Sequence, residues 1–155
     1  MKRISLLLAS VLLAAVIAAA AATAHSGAPP ARSALFHTVE LRRTHLGKIL
    51  VTASGYTLFA FSKDSRNSDA CAKIGGCLEA WPIKEVQGKP SGGSGVKGSL
   101  LSTLKLSKGR TQVVYAGHPL YVYSGENAPG QTEYVGAKQF GGTWYALNAA
   151  GQLVK

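Results

Sequence analysis

The sequence predicts a mostly β fold: a single compact antiparallel β-domain, a sandwich or small barrel, built from two pseudo-symmetric repeats. Three observations predict it. Short runs of β-branched and aromatic residues alternate with glycine-bearing turns, no window beyond the N-terminus holds a 3.6-residue apolar period, and one aromatic segment occurs twice. The runs lie at residues 39–41, 48–53, 56–61, 111–116, 120–123 and 143–147, each read as a strand. Gly47, Gly55, Gly109, Gly117, Gly125, Gly142 and Gly151 punctuate them.

The duplicated segment is the strongest signal. Residues 50–62 align with residues 112–124, with Gly55/Gly117, Leu58/Leu120 and Ser62/Ser124 identical. Aromatic residues match at Phe59/Tyr121 and Phe61/Tyr123, an acid follows each pair at Asp64 and Glu126, and a tryptophan closes each copy at Trp81 and Trp144. Each copy reads as a hairpin turning at glycine, an irregular segment and a tryptophan-bearing strand. Period-two alternation sets Phe59 and Phe61 on one face with Leu58 and Ala60 on the other, and Tyr121 and Tyr123 likewise against Leu120 and Val122. Both faces are apolar, so the strands should be covered on both sides. Two uses of the rings stay open: packing in the core, or a platform for a sugar, haem or quinone ring. Phe59, Phe61, Asp64, Trp81, Tyr121, Tyr123, Glu126 and Trp144 are therefore the candidate ligand residues, with Asp64 read chiefly as a turn-fixing acceptor.

Residues 1–24 read as a signal peptide. Lys2 and Arg3 precede an apolar stretch to Ala22, and Ala22-Thr23-Ala24 supplies small residues for cleavage. Residues 25–34 form a Gly/Pro/Ala lead-in, and residues 35–155 the β-domain: repeat 1 at about 38–86, a Gly/Ser loop at 87–99, and repeat 2 at about 100–155. A G-x-G-x-x-G match at 93–98 lies inside that loop without a preceding strand or following helix, so it is loop composition. No further apolar stretch follows, so no transmembrane helix is expected after cleavage. The chain is expected in the bacterial cell envelope, periplasm or exterior.

Seventeen basic residues against seven acidic ones give a formal charge of +10. That balance favours anionic envelope components such as headgroups or acidic glycans, or another exported protein, with no specific nucleic-acid partner indicated. In an oxidising compartment the only cysteines, Cys71 and Cys77, are most simply a disulfide. Closing so short a loop stabilises by roughly 2 kcal/mol. Two sulfurs alone do not complete a zinc site, and no cofactor is predicted. The remote exception is copper(II) at the His25 amine and imidazole after cleavage, completed by His37, His45 or His118. No G-x-S-x-G, H-E-x-x-H or P-loop occurs, so the reading leans away from an enzyme.

These features together resemble the bacterial "secreted repeat" family, predicted lipoproteins with a Y-x-(F/W/Y)-x-x-D motif. The resemblance rests on 55–61 with Asp64, Ser68 to Cys71 and Cys77 to Pro82, then on Gly117, 119–123, Pro129-Gly130 and Trp144-Tyr145. Phe59 stands where the family usually has tyrosine, Glu126 where it has aspartate, the cysteines are more widely spaced, and His25 replaces a lipid-bearing cysteine. The resemblance implies export and architecture, and no activity. The expected function is a non-enzymatic binding or scaffold protein. The alternatives are a small redox-linked protein for metal, haem or an aromatic cofactor, and a carbohydrate or cell-wall enzyme with two converging carboxylates.

Overall fold

A computed structural model of the chain describes residues 37–155. The signal segment, the lead-in and the His25 copper site lie outside them. Strands β1 (Glu40–Thr44) and β2 (Gly47–Val51) form a hairpin, and β3 (Phe59–Phe61) follows. One helical turn, α1 (Cys77–Ala80), carries the second cysteine. Strands β4 (Leu101–Lys105), β5 (Thr111–Tyr115) and β6 (His118–Pro119) make a three-stranded sheet. Strand β8 (Gly142–Leu147) pairs with β3, with β7 (Lys138–Gln139) and with β9 (Leu153–Val154). Every strand pairing is antiparallel, and the described residues form no closed barrel.

Single bridges lace the sheets together: Ile49 to Asn148, Phe59 to Tyr121, Ile83 to Tyr121 and Glu85 to Gln112. The alternation read from the sequence separates two cores. Leu58, Ala60 and Leu120 pack with Val39, Leu50, Val113, Tyr115 and Leu147. Phe59, Phe61 and Tyr121 pack with Trp81, Trp144, Ile83 and the cysteines. Strands apolar on both faces lie between these clusters, as period two requires.

Three local expectations are corrected. Residues 120–123 do not continue as a strand; pairing ends at Pro119, and Tyr121 instead forms isolated bridges to two segments at once. Strand β4 has no counterpart among the predicted runs, because L-S-T-L-K carries too little apolar alternation on an edge strand. Trp81 caps α1 instead of sitting in a strand, whereas Trp144 lies in β8 as expected. The cause is local: the Asp69 carboxylate accepts the Ala72 N–H at 2.7 Å, opening a short 3-10 turn (Cys71–Lys73), and the Cys71–Cys77 disulfide closes the loop onto α1.

The 87–99 stretch is free of strands, yet it is tied down. Val39 donates its N–H to the Ser91 carbonyl at 3.1 Å and accepts the Gly93 N–H at 2.9 Å. Those bonds satisfy the backbone of buried Val39 just before β1. Among the described residues, no helix is long and apolar enough to cross a membrane.

Candidate functional site

The repeated rings meet across the two copies. Phe59 and Tyr121 exchange backbone hydrogen bonds of 2.9 and 3.0 Å, and the contacts that the rings make with the two tryptophans come in matching pairs. Trp81 and Trp144 stack on each other at 3.9 Å between centroids. Phe59 meets Trp81 edge-on at 5.0 Å, as Tyr121 meets Trp144 at 5.1 Å. Phe61 stacks on Trp144 at 4.3 Å, and Tyr123 lies tilted on Trp81 at 4.4 Å. Phe61, Trp144, Trp81 and Tyr123 thus form one column, with Tyr134 on the outer side of Tyr123 at 4.2 Å. Phe59, Phe61, Trp81, Tyr121 and Trp144 are at most 2 % exposed, so their faces are covered by one another. Tyr123 is partly open.

The polar groups around this column do not share its symmetry. Asp64 accepts the Ala70 N–H at 2.7 Å on one oxygen and the Tyr121 hydroxyl at 2.8 Å on the other. Burial pushes its pKa up to about 6, the hydrogen bonds oppose that rise, and the neighbouring Asp69 charge adds to it. Asp69 is itself buried, with one oxygen unpartnered. Burial, then the Asp64 and Asp69 charges, raises the Tyr121 hydroxyl so that it stays protonated as a donor.

Glu126 is the counterpart of Asp64 and has neither donor. It is 8 % exposed, and both carboxylate oxygens are buried without a partner. The ring matching Tyr121 is Phe59, which has no hydroxyl. The N–H matching that of Ala70 belongs to Thr132 and is taken by Glu133 at 2.9 Å. Burial lifts the Glu126 pKa to about 7, Glu133 adds to the rise, and nearby Thr57 moderates it without reaching hydrogen-bonding geometry. The Thr57 hydroxyl gives its proton to the Gln131 carbonyl instead, at 2.6 Å.

The tryptophans repeat the pattern. Trp81 donates its indole N–H to Gln139 at 2.8 Å, whereas the buried Trp144 N–H has no partner. At the spacing of the two tryptophans, Gly76 stands where Gln139 does, and it offers no side-chain acceptor. For the acid and the indole, repeat 2 therefore supplies a hydroxyl and an amide to repeat 1, and the matching acid and indole of repeat 2 receive no counterpart. Sequence reading missed Asp69 and Gln139, since neither belongs to the aligned segments. The signal available was the Phe59-for-tyrosine departure, which already left Glu126 one donor short.

Phe59→Tyr is accordingly expected to give Glu126 a donor and pull its titration midpoint below 7, as read by carboxyl-carbon NMR. An unmoved midpoint would show that Glu126 lies out of reach of ring 59.

The remaining candidates are dispersed. His45 lies 3.5 Å from the Thr132 hydroxyl, and His118 is partly buried, its pKa lowered by burial and then by Arg66. Among the described residues no three His, Cys, Asp or Glu side chains are gathered as a metal site needs. An open depression of about 370 Å³ over the β7–β8 turn is lined by residues 138–143, and no acid lines it. Glycine at the two matching turns has a steric reason: Gly55 and Gly117 adopt φ +87° and +88°, and a Cβ there would meet the Arg42 and Arg66 guanidinium groups.

No characterised protein and no solved structure matches the chain. A family profile described as "secreted repeat of unknown function" matches it twice, at residues 41–84 and 102–148, and both stretches contribute rings to the column. With more than half of its length covered in two copies, the chain belongs to this family of secreted repeats.

Proposed function

We propose that the protein is a non-enzymatic binding or scaffold module of the bacterial cell envelope that holds anionic polymers or headgroups on a basic surface. The observation that carries this reading is where the charges lie. Of the basic residues only Lys2, Arg3 and Arg32 precede the described residues, so fourteen face all seven acids within them. Asp69 and Glu126 are buried and Asp64 is partly so, which leaves the exposed surface more cationic than composition suggests. The single ion pair among the described residues is Arg110–Glu85, at 3.2 Å.

Strands β1 and β2 concentrate the excess. Arg42, Arg43 and Lys48 are exposed, and Arg43 lies directly opposite Lys48 in the register. Like charges placed opposite on a hairpin destabilise it. An anion bridging them relieves that repulsion.

Cosedimentation of the purified mature protein with phosphatidylglycerol vesicles tests the reading. Binding is expected at about 50 mM salt, lost toward about 0.5 M, absent with phosphatidylcholine and weakened in an R43S/K48S double variant. Failure to bind anionic vesicles and polyanionic glycans at low salt would overturn it.

A further inference from the structure

We propose that residues 124–135 form a proton-operated flap over the outer end of the aromatic column, closed while Glu126 is protonated and released when it ionises. The flap contains turns but no strand or helix. Five of its hydrogen bonds are internal: Gln131 accepts the Asn127 and Ala128 N–H groups, Glu133 accepts that of Thr132, the Tyr134 hydroxyl reaches the Gly125 carbonyl, and Val135 donates to the Thr132 carbonyl. Four polar ties hold it to repeat 1, the first being the Ser124 N–H donated to the Ala80 carbonyl at 2.9 Å. Gly130 donates to the Gly55 carbonyl at 3.0 Å, Thr57 donates to Gln131, and His45 contacts Thr132.

Against those ties stands a buried acid with no partner. The charged or titratable groups around Glu126 are Glu133 on the flap itself, His45 beyond Thr132, and Arg42 beside Gly55 and Gly130. None of them forms an ion pair with it. Glu133 is a like charge. A buried carboxylate without donors carries a large desolvation penalty, which protonation or exposure removes. Four polar ties and the packing of Tyr134 and Val135 on the cores resist exposure less than a sheet does. With its pKa near 7, the acid changes charge within the range an exported protein meets.

Release separates Tyr134 from Tyr123 and bares the face of Tyr123 that does not lie on Trp81. The flap thereby controls an aromatic patch that is shut in acid and open above neutrality. The device is independent of the basic surface proposed above and stands if that surface binds nothing.

Amide hydrogen exchange on the full mature protein tests it. After correction for intrinsic rates, exchange in 124–135 is expected to rise roughly 50-fold from about pH 5 to about pH 8, and at every pH to run far faster than that of β8 amides, which open only with the whole domain. In Glu126→Gln the rise should vanish. Exchange that does not vary with pH, the same rise in the variant, or flap amides as strongly protected as those of β8 would each overturn the flap. Titration of the Glu126 carboxyl carbon in the unaltered chain is a variant-free check, and a midpoint at the ordinary 4.5 would also overturn it.

Discussion

Trp81→Ala is expected to lower unfolding stability by about 3–5 kcal/mol, measured by urea denaturation. Trp81 is fully buried and touches Phe59 by its edge, Trp144 by one face and Tyr123 by the other. Losing it opens a cavity in the middle of the column and removes three ring contacts, each worth roughly 0.5–1.5 kcal/mol beyond area. It also strips Gln139 of its donor. Trp144→Ala makes the internal control. It leaves a cavity of the same kind but loses no hydrogen bond, so its penalty should be smaller by about 1 kcal/mol. Equal penalties would show that the Gln139 bond contributes nothing to the difference.

The second large effect is on pH. Asp64 rises from 3.8 to about 6 and Glu126 from 4.5 to about 7, both chiefly through burial. A raised folded pKa means that the folded state holds its proton when the unfolded chain has lost it. Stability is then greatest below the unfolded value and falls as pH rises toward the folded one. Between about pH 4 and 7 the two acids should together lower stability, each by less than the full ~1.4 kcal/mol per tenfold change in proton affinity because solvent screens both. His118 acts in the opposite sense, because its lowered pKa disfavours folding once it charges in acid. Urea midpoints should therefore be higher near pH 5 than at pH 8, and Glu126→Gln should flatten the curve. A midpoint that climbs steadily from pH 5 to 8 would contradict both assignments.

What the sequence could reveal was set by how locally each feature is encoded. The faces of β3 were legible because strand geometry ties Leu58, Phe59, Ala60 and Phe61 to alternate sides without knowledge of any partner. The disulfide was legible from compartment and spacing. The α1 turn was not, since a four-residue helix has no periodicity to read and is set by the disulfide loop and the left-handed Gly76 before it. Nor was the sharing of Asp64 with Tyr121, which crosses 57 residues of chain. The aligned copies did contain it in latent form: an acid five places after one ring serves the equivalent ring of the other copy.

The exchange of rings between copies also dictates an order of events. Phe59, Phe61 and Trp81 precede Tyr121, Tyr123 and Trp144 in the chain, so the leading half emerges with its rings uncovered. The Cys71–Cys77 loop is local and can close at once, whereas the Phe59–Tyr121 and Phe61–Trp144 pairings wait for the trailing half. Such chain-distant pairing makes folding slow relative to the emergence of the chain. The period of greatest vulnerability to aggregation or proteolysis is thus the interval before the trailing half arrives.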